Sequence, residues 1–208
     1  VMFDEALCEQ GRNFGNKIWN AYRLVNGWAV DAGIPQSENN RLAAAWFDQA
    51  LGRSLRQIAE EFRSYRISEA FKEAYRLFWD DFSGLYLEMV KPAYGQPIDA
   101  ATLEATKGYF DALMRVLHPF MPFVTEEIWQ ALAPRAEGDS ICVAPMPEPC
   151  QADETLLARF ELAKEVISSV RNIRNQKNLP QKEALALHVI ADENYPAEYA
   201  PVLQKMAN

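Results

Sequence analysis

Between Gln10 and Val30 the chain holds no acidic residue, yet it carries Arg12, Lys17 and Arg23. On a helix turning about 100° per residue, Arg12, Asn16, Trp19, Asn20 and Arg23 fall within an arc of about 100°. Guanidinium groups pair with phosphates, carboxamides reach base edges, and an indole offers a plane on which a base stacks. Together they offer the chemistry of RNA recognition. A second acid-free stretch, Val170 to Lys182, holds Arg171, Arg174, Lys177 and Lys182 among Asn172, Asn175 and Asn178. Arg171, Arg174, Asn175 and Asn178 stand at i, i+3, i+4 and i+7, one face of a helix. Each stretch also has an ordinary reading. Trp19 can belong to the core boundary, and basic residues near a helix C-terminus complement its dipole. Two such stretches in a chain with 29 acidic residues shift the balance toward an anionic ligand.

Other chemistries find little support. Nucleotide-binding glycine loops, a nucleophile elbow and the His-Glu-x-x-His zinc motif are all absent. A di-iron bundle site needs a Glu three residues before a His, but Arg115 and Leu185 precede His118 and His188 at that spacing. No metal site and no catalytic residue is therefore expected. Cys8 reads as a buried apolar cysteine, since nothing near it in sequence lowers its pKa. Glu126 and Glu127 read as first-turn carboxylates favouring a helix dipole.

The elements that must position these residues are long helices. Residues 4–29 place Phe14, Ile18, Ala21, Tyr22, Val25 and Ala29 on the face opposite the polar arc. Gly27, Gly33 and Pro35 end that pattern. Residues 38–64 form a second helix capped by Ser37, with Glu38 in its first turn. Residues 68–91 form a third, capped by Ser68, with a stripe of Phe71, Tyr75, Phe78, Trp79, Phe82 and Tyr86. A fourth runs over 99–117 with Asp99 as cap, and a continuation runs over 122–132 after the Pro119 and Pro122 interruption. A fifth spans 153–178 and stops before Pro180. The loop 134–150 contains one extended piece, Ile141 to Ala144, which the spacing pairs with a strand over 185–191. A last helix starts near Pro196. The expected fold is all-α: an antiparallel helical bundle with a small α/β appendage at the C-terminal end. Its parts are the bundle over 1–133, a loop and fifth bundle helix over 134–180, and a truncated subdomain over 181–208.

The composition, 49% apolar and 12% aromatic over 208 residues, supports one substantial core. A net charge of −8 argues against strong nucleic-acid affinity unless positive charge is gathered locally. Three cysteines without paired spacing point to a reducing compartment. No run of 18 apolar residues and no leader pattern is present, so neither a membrane span nor export is expected. The chain opens at Val1 and closes inside a helical pattern, so a longer parent protein is expected.

Four segments carry a resemblance. Residues 11–25, Gly-Arg-Asn-Phe-Gly-Asn-Lys-Ile-Trp-Asn-Ala-Tyr-Arg-Leu-Val, resemble the opening of the anticodon-binding domain of valyl-tRNA synthetases. Residues 78–92 look like the third bundle helix of the valine, isoleucine and leucine enzymes. His-Pro-Phe-Met-Pro-Phe-Val-Thr-Glu-Glu-Ile-Trp-Gln, 118–130, is similar to a signature of the same group. Val-Arg-Asn-Ile-Arg, 170–174, with Asn-Leu-Pro at 178–180, points again to the valine enzymes.

The resemblance implies a class I helical bundle that binds the anticodon stem and loop of tRNA(Val), in the cytoplasm, with no role for DNA or membrane. It implies Arg12, Lys17 and Arg23 on phosphates, and Asn20, beside Asn16, on a base edge or sugar. Arg171, Arg174 and Lys177 form a second group. Leu24 stands where some relatives carry an aromatic, which leaves Trp19 as the local stacking group. His118, Pro119, Phe120, Pro122 and Trp129 are implied to be architecture. ATP and Mg belong to a catalytic domain carrying the HIGH and KMSKS motifs. Neither motif, nor an editing domain, nor the C-terminal coiled coil lies in these residues. The chain itself is expected to need no cofactor, to be inactive alone, and to contact the catalytic domain and coiled coil within its parent. The same domain of an isoleucine or leucine enzyme, a helical protein-interaction module and a ferritin-like bundle enzyme stand as alternatives.

Overall fold

The structure, a computed structural model, describes residues 5–180, 183–184, 186–190 and 194–207. Helix α1 spans Glu5–Asn26. Phe14, Ile18, Ala21, Tyr22 and Val25 are buried along one side, as their spacing requires. Ala29 lies past the helix end and is exposed. Cys8 is exposed too, against the expectation of burial. Four residues before Arg12, it falls beside the polar arc rather than on the apolar stripe.

Helix α2, Glu38–Arg63, begins where Ser37 Oγ accepts the Asn40 amide at 3.2 Å. Helix α3 covers Ile67–Arg76 and passes directly into a π-helical segment, Leu77–Tyr86, and then α4, Leu87–Val90. Ser68 is not its cap. The chain enters through Tyr65 at φ 58, and the Arg66 carbonyl accepts from Glu69 and Ala70. Ser68 therefore sits inside the first turn. The π-helical stretch has a cause in the sequence. Ala70, Ala74, Phe78, Phe82, Tyr86 and Val90 repeat every four residues, and all are buried. On an ideal α-helix such a repeat drifts by about 40° per step, so five steps would carry it round to solvent. Wider i→i+5 turns hold the stripe against the core.

Helix α5, Ala100–Leu117, is capped by Asp99, which accepts the Thr102 amide at 2.8 Å and the Asn40 carboxamide at 3.1 Å. Helix α6, Pro122–Leu132, follows a bend in which Phe120 and Met121 both donate to Leu117 O. Proline suits its first turn because no amide donor is needed there. Glu126 lies past that first turn, so it is not the dipole-capping carboxylate expected. It instead accepts from Ser140 Oγ at 2.7 Å and the Ile141 amide at 3.3 Å. Helix α7, Glu154–Gln176, is capped by Asp153, and α8, Ala200–Met206, follows a 3-10 turn at Ala197–Tyr199.

The core is aromatic. Phe47 lies 5.3, 5.0 and 4.9 Å from Phe82, Tyr86 and Tyr109. Trp46 stacks on Phe160 at 4.2 Å, which fastens α7 to α2. The result is the helical bundle with a small appendage that the sequence predicts.

The strand pairing predicted at the C-terminal end does not form among the described residues. Ile141–Val143 is a 3-10 turn. Its donors are satisfied locally: Cys142 N–H on Ser140 Oγ, Val143 N–H on Ser140 O and Ala144 N–H on Ile141 O. Those three amides are thereby unavailable to a ladder. Residues 186–190 adopt no strand, while Leu185 and Ala191 lie outside the described residues. The ladder that does form is parallel and joins β1, Val30–Asp31, to β2, Ile98–Asp99.

Candidate nucleic-acid interface

The buried stripe of α1 leaves its opposite side to solvent. Arg12, Asn16, Asn20 and Arg23 are exposed there together, as the helical arc predicts. Trp19 is 38% exposed and leans on Tyr22, with ring centroids 5.6 Å apart. Tyr22 in turn meets the core ring Phe110 edge-on at 6.3 Å. The indole is thus braced by Tyr22 and partly open to solvent. Leu24 is 41% exposed at the rim.

The cations differ in what holds them. Arg12 pairs with Glu9 at 3.2 Å, both side chains about two-thirds exposed. Such a pair contributes only about 0–1 kcal/mol and holds the guanidinium weakly. Arg23 forms no salt bridge among the described residues. Lys17, half-buried, lies 4.3 Å above the Trp79 ring, a cation–π contact that fixes its ammonium toward the π-helical segment.

Between α1 and that segment runs a shallow groove of about 410 Å³, lined by Asn13, Asn16, Lys17, Asn20, Ala21, Leu24, Ser83, Leu87 and Glu88. Asn13, Ser83 and Glu88 are absent from the sequence-based set. Asn13 was detectable, since it stands at i, i+3, i+7 and i+11 with Asn16, Asn20 and Leu24. Ser83 and Glu88 depend on packing between helices far apart in sequence. Glu88 is held by an ion pair with Lys91.

The second stretch is largely structural. Arg174, expected on an outward face, is 3% exposed. Its guanidinium donates to Ala207 O at 3.1 Å, Pro180 O at 2.9 Å and Glu183 O at 2.9 Å. The short helix α8 and the chain after α7 close over it. Arg171 is exposed, but its guanidinium donates to Met206 O at 3.2–3.3 Å. Asn178 takes φ 52 and ends α7, with Asn178 N–H on Asn175 O and Leu179 N–H on Arg174 O. Lys177 is exposed, and Lys182 lies outside the described residues. The two stretches sit on helices with different neighbours. Helix α1 packs on α5, α6 and the π-helical segment, whereas α7 packs on α2 and α8.

Of the residues implied to be architecture, Phe120 and Trp129 pack into the bundle, while Pro119 and Pro122 are exposed at the bend. Phe120 lies 4.9 Å from Phe71 and stacks on Phe62 at 6.0 Å. Trp129 is buried beneath the Arg135 guanidinium, 3.6 Å from its ring centre.

Comparison with known proteins bears on this surface. Residues 44–190 match the family described as the anticodon-binding domain of tRNA ligase. The whole chain is 55% identical to a valine–tRNA ligase of Parabacteroides distasonis and 43% identical to that of Christiangramia forsetii, covering 24% of each. Over 91% of the chain it is 36% identical to the Bacillus subtilis valine–tRNA ligase, covering 22% of that protein. The chain therefore spans about a quarter of the length of these relatives. The family match takes in most of α2 through α7, and the relatives extend the likeness across α1 and its polar face. By that measure the chain belongs to the family of anticodon-binding domains of tRNA ligases.

Proposed function

We propose that the chain serves as the anticodon stem-and-loop binding module of a valine–tRNA ligase, acting on tRNA(Val) in the cytoplasm. The observation that carries this is the outward face of α1, where Arg12, Asn16, Trp19, Asn20 and Arg23 stand together above a buried apolar stripe. The module makes and breaks no bond. Binding free energy gained at the anticodon end orients the tRNA, so that anticodon identity contributes to charging at a remote site. ATP, Mg and the ligase chemistry belong to the catalytic part of the parent enzyme, and this chain alone charges no tRNA. Arg12 and Arg23 act on phosphates, Asn16 and Asn20 on base edges or sugar, and Trp19 as a stacking plane. Lys17 contributes from the groove beside them. Arg171 and Lys177 form a smaller second contact, without Arg174.

Replacing Arg23 with Ala in the full enzyme weakens tRNA(Val) binding and lowers its log–log salt slope by about one. Filter binding across a salt series measures this. An unchanged slope removes Arg23 from the contact set.

A further inference from the structure

Where α5 bends into α6, the returning loop brings three different ligand types together. The ligating atoms of His118, Glu126 and Cys142 all lie within 4.8 Å of one another. His118 Nε2 is 3.2 Å from Cys142 Sγ, and His118 Nδ1 is 2.8 Å from Thr125 Oγ1. The hydrogen bonds fix the imidazole tautomer. Thr125 Oγ1 already donates its proton to Met121 O at 2.8 Å, so it accepts from His118 Nδ1–H. The Nε2 lone pair then faces the thiol.

We propose that His118, Glu126 and Cys142 form a binding site for a thiophilic divalent cation of the Zn²⁺ class. The donor set of one imidazole, one carboxylate and one thiolate matches zinc preference, leaving a fourth position for water. In tetrahedral zinc, bonds of about 2.0 Å to nitrogen and 2.3 Å to sulfur place those two atoms roughly 3.5 Å apart. The observed separation needs to open only slightly, and Cys142 sits on an exposed turn that can yield. The outer partners a metal site requires are already built. Thr125 orients the imidazole. Ser140 Oγ, the Ile141 amide and Gln130 hold the Glu126 carboxylate. On binding, zinc takes the Cys142 sulfur as thiolate, and the thiol proton passes to solvent. No electron is transferred. The bound ion would fasten the 134–150 loop to the α5–α6 bend.

A Glu-x-x-His pattern does not describe this site, because its ligands come from the end of α5, from α6 and from the 141–143 turn. It is separate from the α1 face, so its failure leaves the RNA-binding proposal standing.

Zinc titration of the chain in competition with a chromophoric chelator tests the proposal. One zinc binds per chain and raises the thermal midpoint. Cys142→Ser and Glu126→Gln each weaken binding by at least the roughly 10–100-fold typical of losing an outer partner, and Thr125→Val falls in that range. Co²⁺ gives a thiolate charge-transfer band that Cys142→Ser abolishes and the Cys8→Ser/Cys150→Ser double variant retains. Circular dichroism checks that each variant is folded. Absence of stoichiometric binding, or binding that follows Cys8 or Cys150 rather than Cys142, overturns it, as does indifference to Glu126→Gln.

Discussion

Arg171 and Arg174 stand one turn apart on the same helix, yet they do different work. Arg174 is sealed in by carbonyls from Pro180, Glu183 and Ala207, whereas Arg171 keeps its exposure while touching Met206 O. Replacing Arg174 with Met removes the donor those three carbonyls share. Leaving buried acceptors unpaired costs about 1–3 kcal/mol each where water cannot reach them, and less where it can. The expected result is a loss of about 2–3 kcal/mol in urea unfolding with the tRNA salt slope unchanged. A reduced slope with full stability would return Arg174 to the RNA-contact set. Spacing alone made Arg171 and Arg174 equivalent, because helical periodicity reports a shared face and not what docks upon it. The caps Ser37, Asp99 and Asp153 were legible or nearly so, since each bonds an amide three residues away. The closure of α8 over Arg174, and of Cys142 onto His118, joins residues 24 or more apart, which no local pattern encodes.

The third helical stretch shows how an element joins stability to the site. Arg76, at the α3 junction, donates to Glu73 at 2.6 and 2.9 Å, to Asp81 at 2.6 Å and to Ser54 at 3.1 Å. Both carboxylates are nearly buried. The two respond oppositely. Burial dominates at Asp81 and pushes its pKa up despite Arg76. At Glu73 burial is again the largest single influence, but hydrogen bonds from Arg76 and Ser54 together with the Arg76 charge outweigh it and hold the pKa below 4.5. Glu73 therefore contributes stability that is present above about pH 4.5 and lost as pH falls through its lower folded value. Asp81 works the other way, costing stability once it ionises and relieving it when protonated. Arg76→Met strands both carboxylates and is expected to destabilise the fold by about 3 kcal/mol, at the low end for a broken buried pair because Arg76 is partly exposed. In Glu73→Gln the acid limb of the melting temperature should flatten. A limb as steep as in the parent chain would show that Glu73 does not carry it. The same element lays Trp79 beneath Lys17 and sets Ser83 on the groove wall, so the four-residue repeat that widens the helix also shapes the candidate RNA surface.

At the scale of the molecule, the net charge of −8 and the cations gathered on α1, Arg12, Lys17 and Arg23, oppose one another. At physiological ionic strength an exposed charge is felt over about 8 Å, so a phosphate held on α1 senses the local cations far more than the total. Two substitutions with the same total effect separate these terms. Arg23→Glu and Arg63→Glu each change the net charge by about −2. Arg63 is exposed near the end of α2, paired with Glu60 and outside the α1 face. If the face governs binding, Arg23→Glu lowers both the tRNA(Val) affinity and the salt slope of the full enzyme, while Arg63→Glu leaves the slope unchanged. If the total charge governs, the two variants weaken binding alike. Equal losses would mean that the gathered residues on α1 do no more than dilute a negative surface, and the proposed contact set would fall with them.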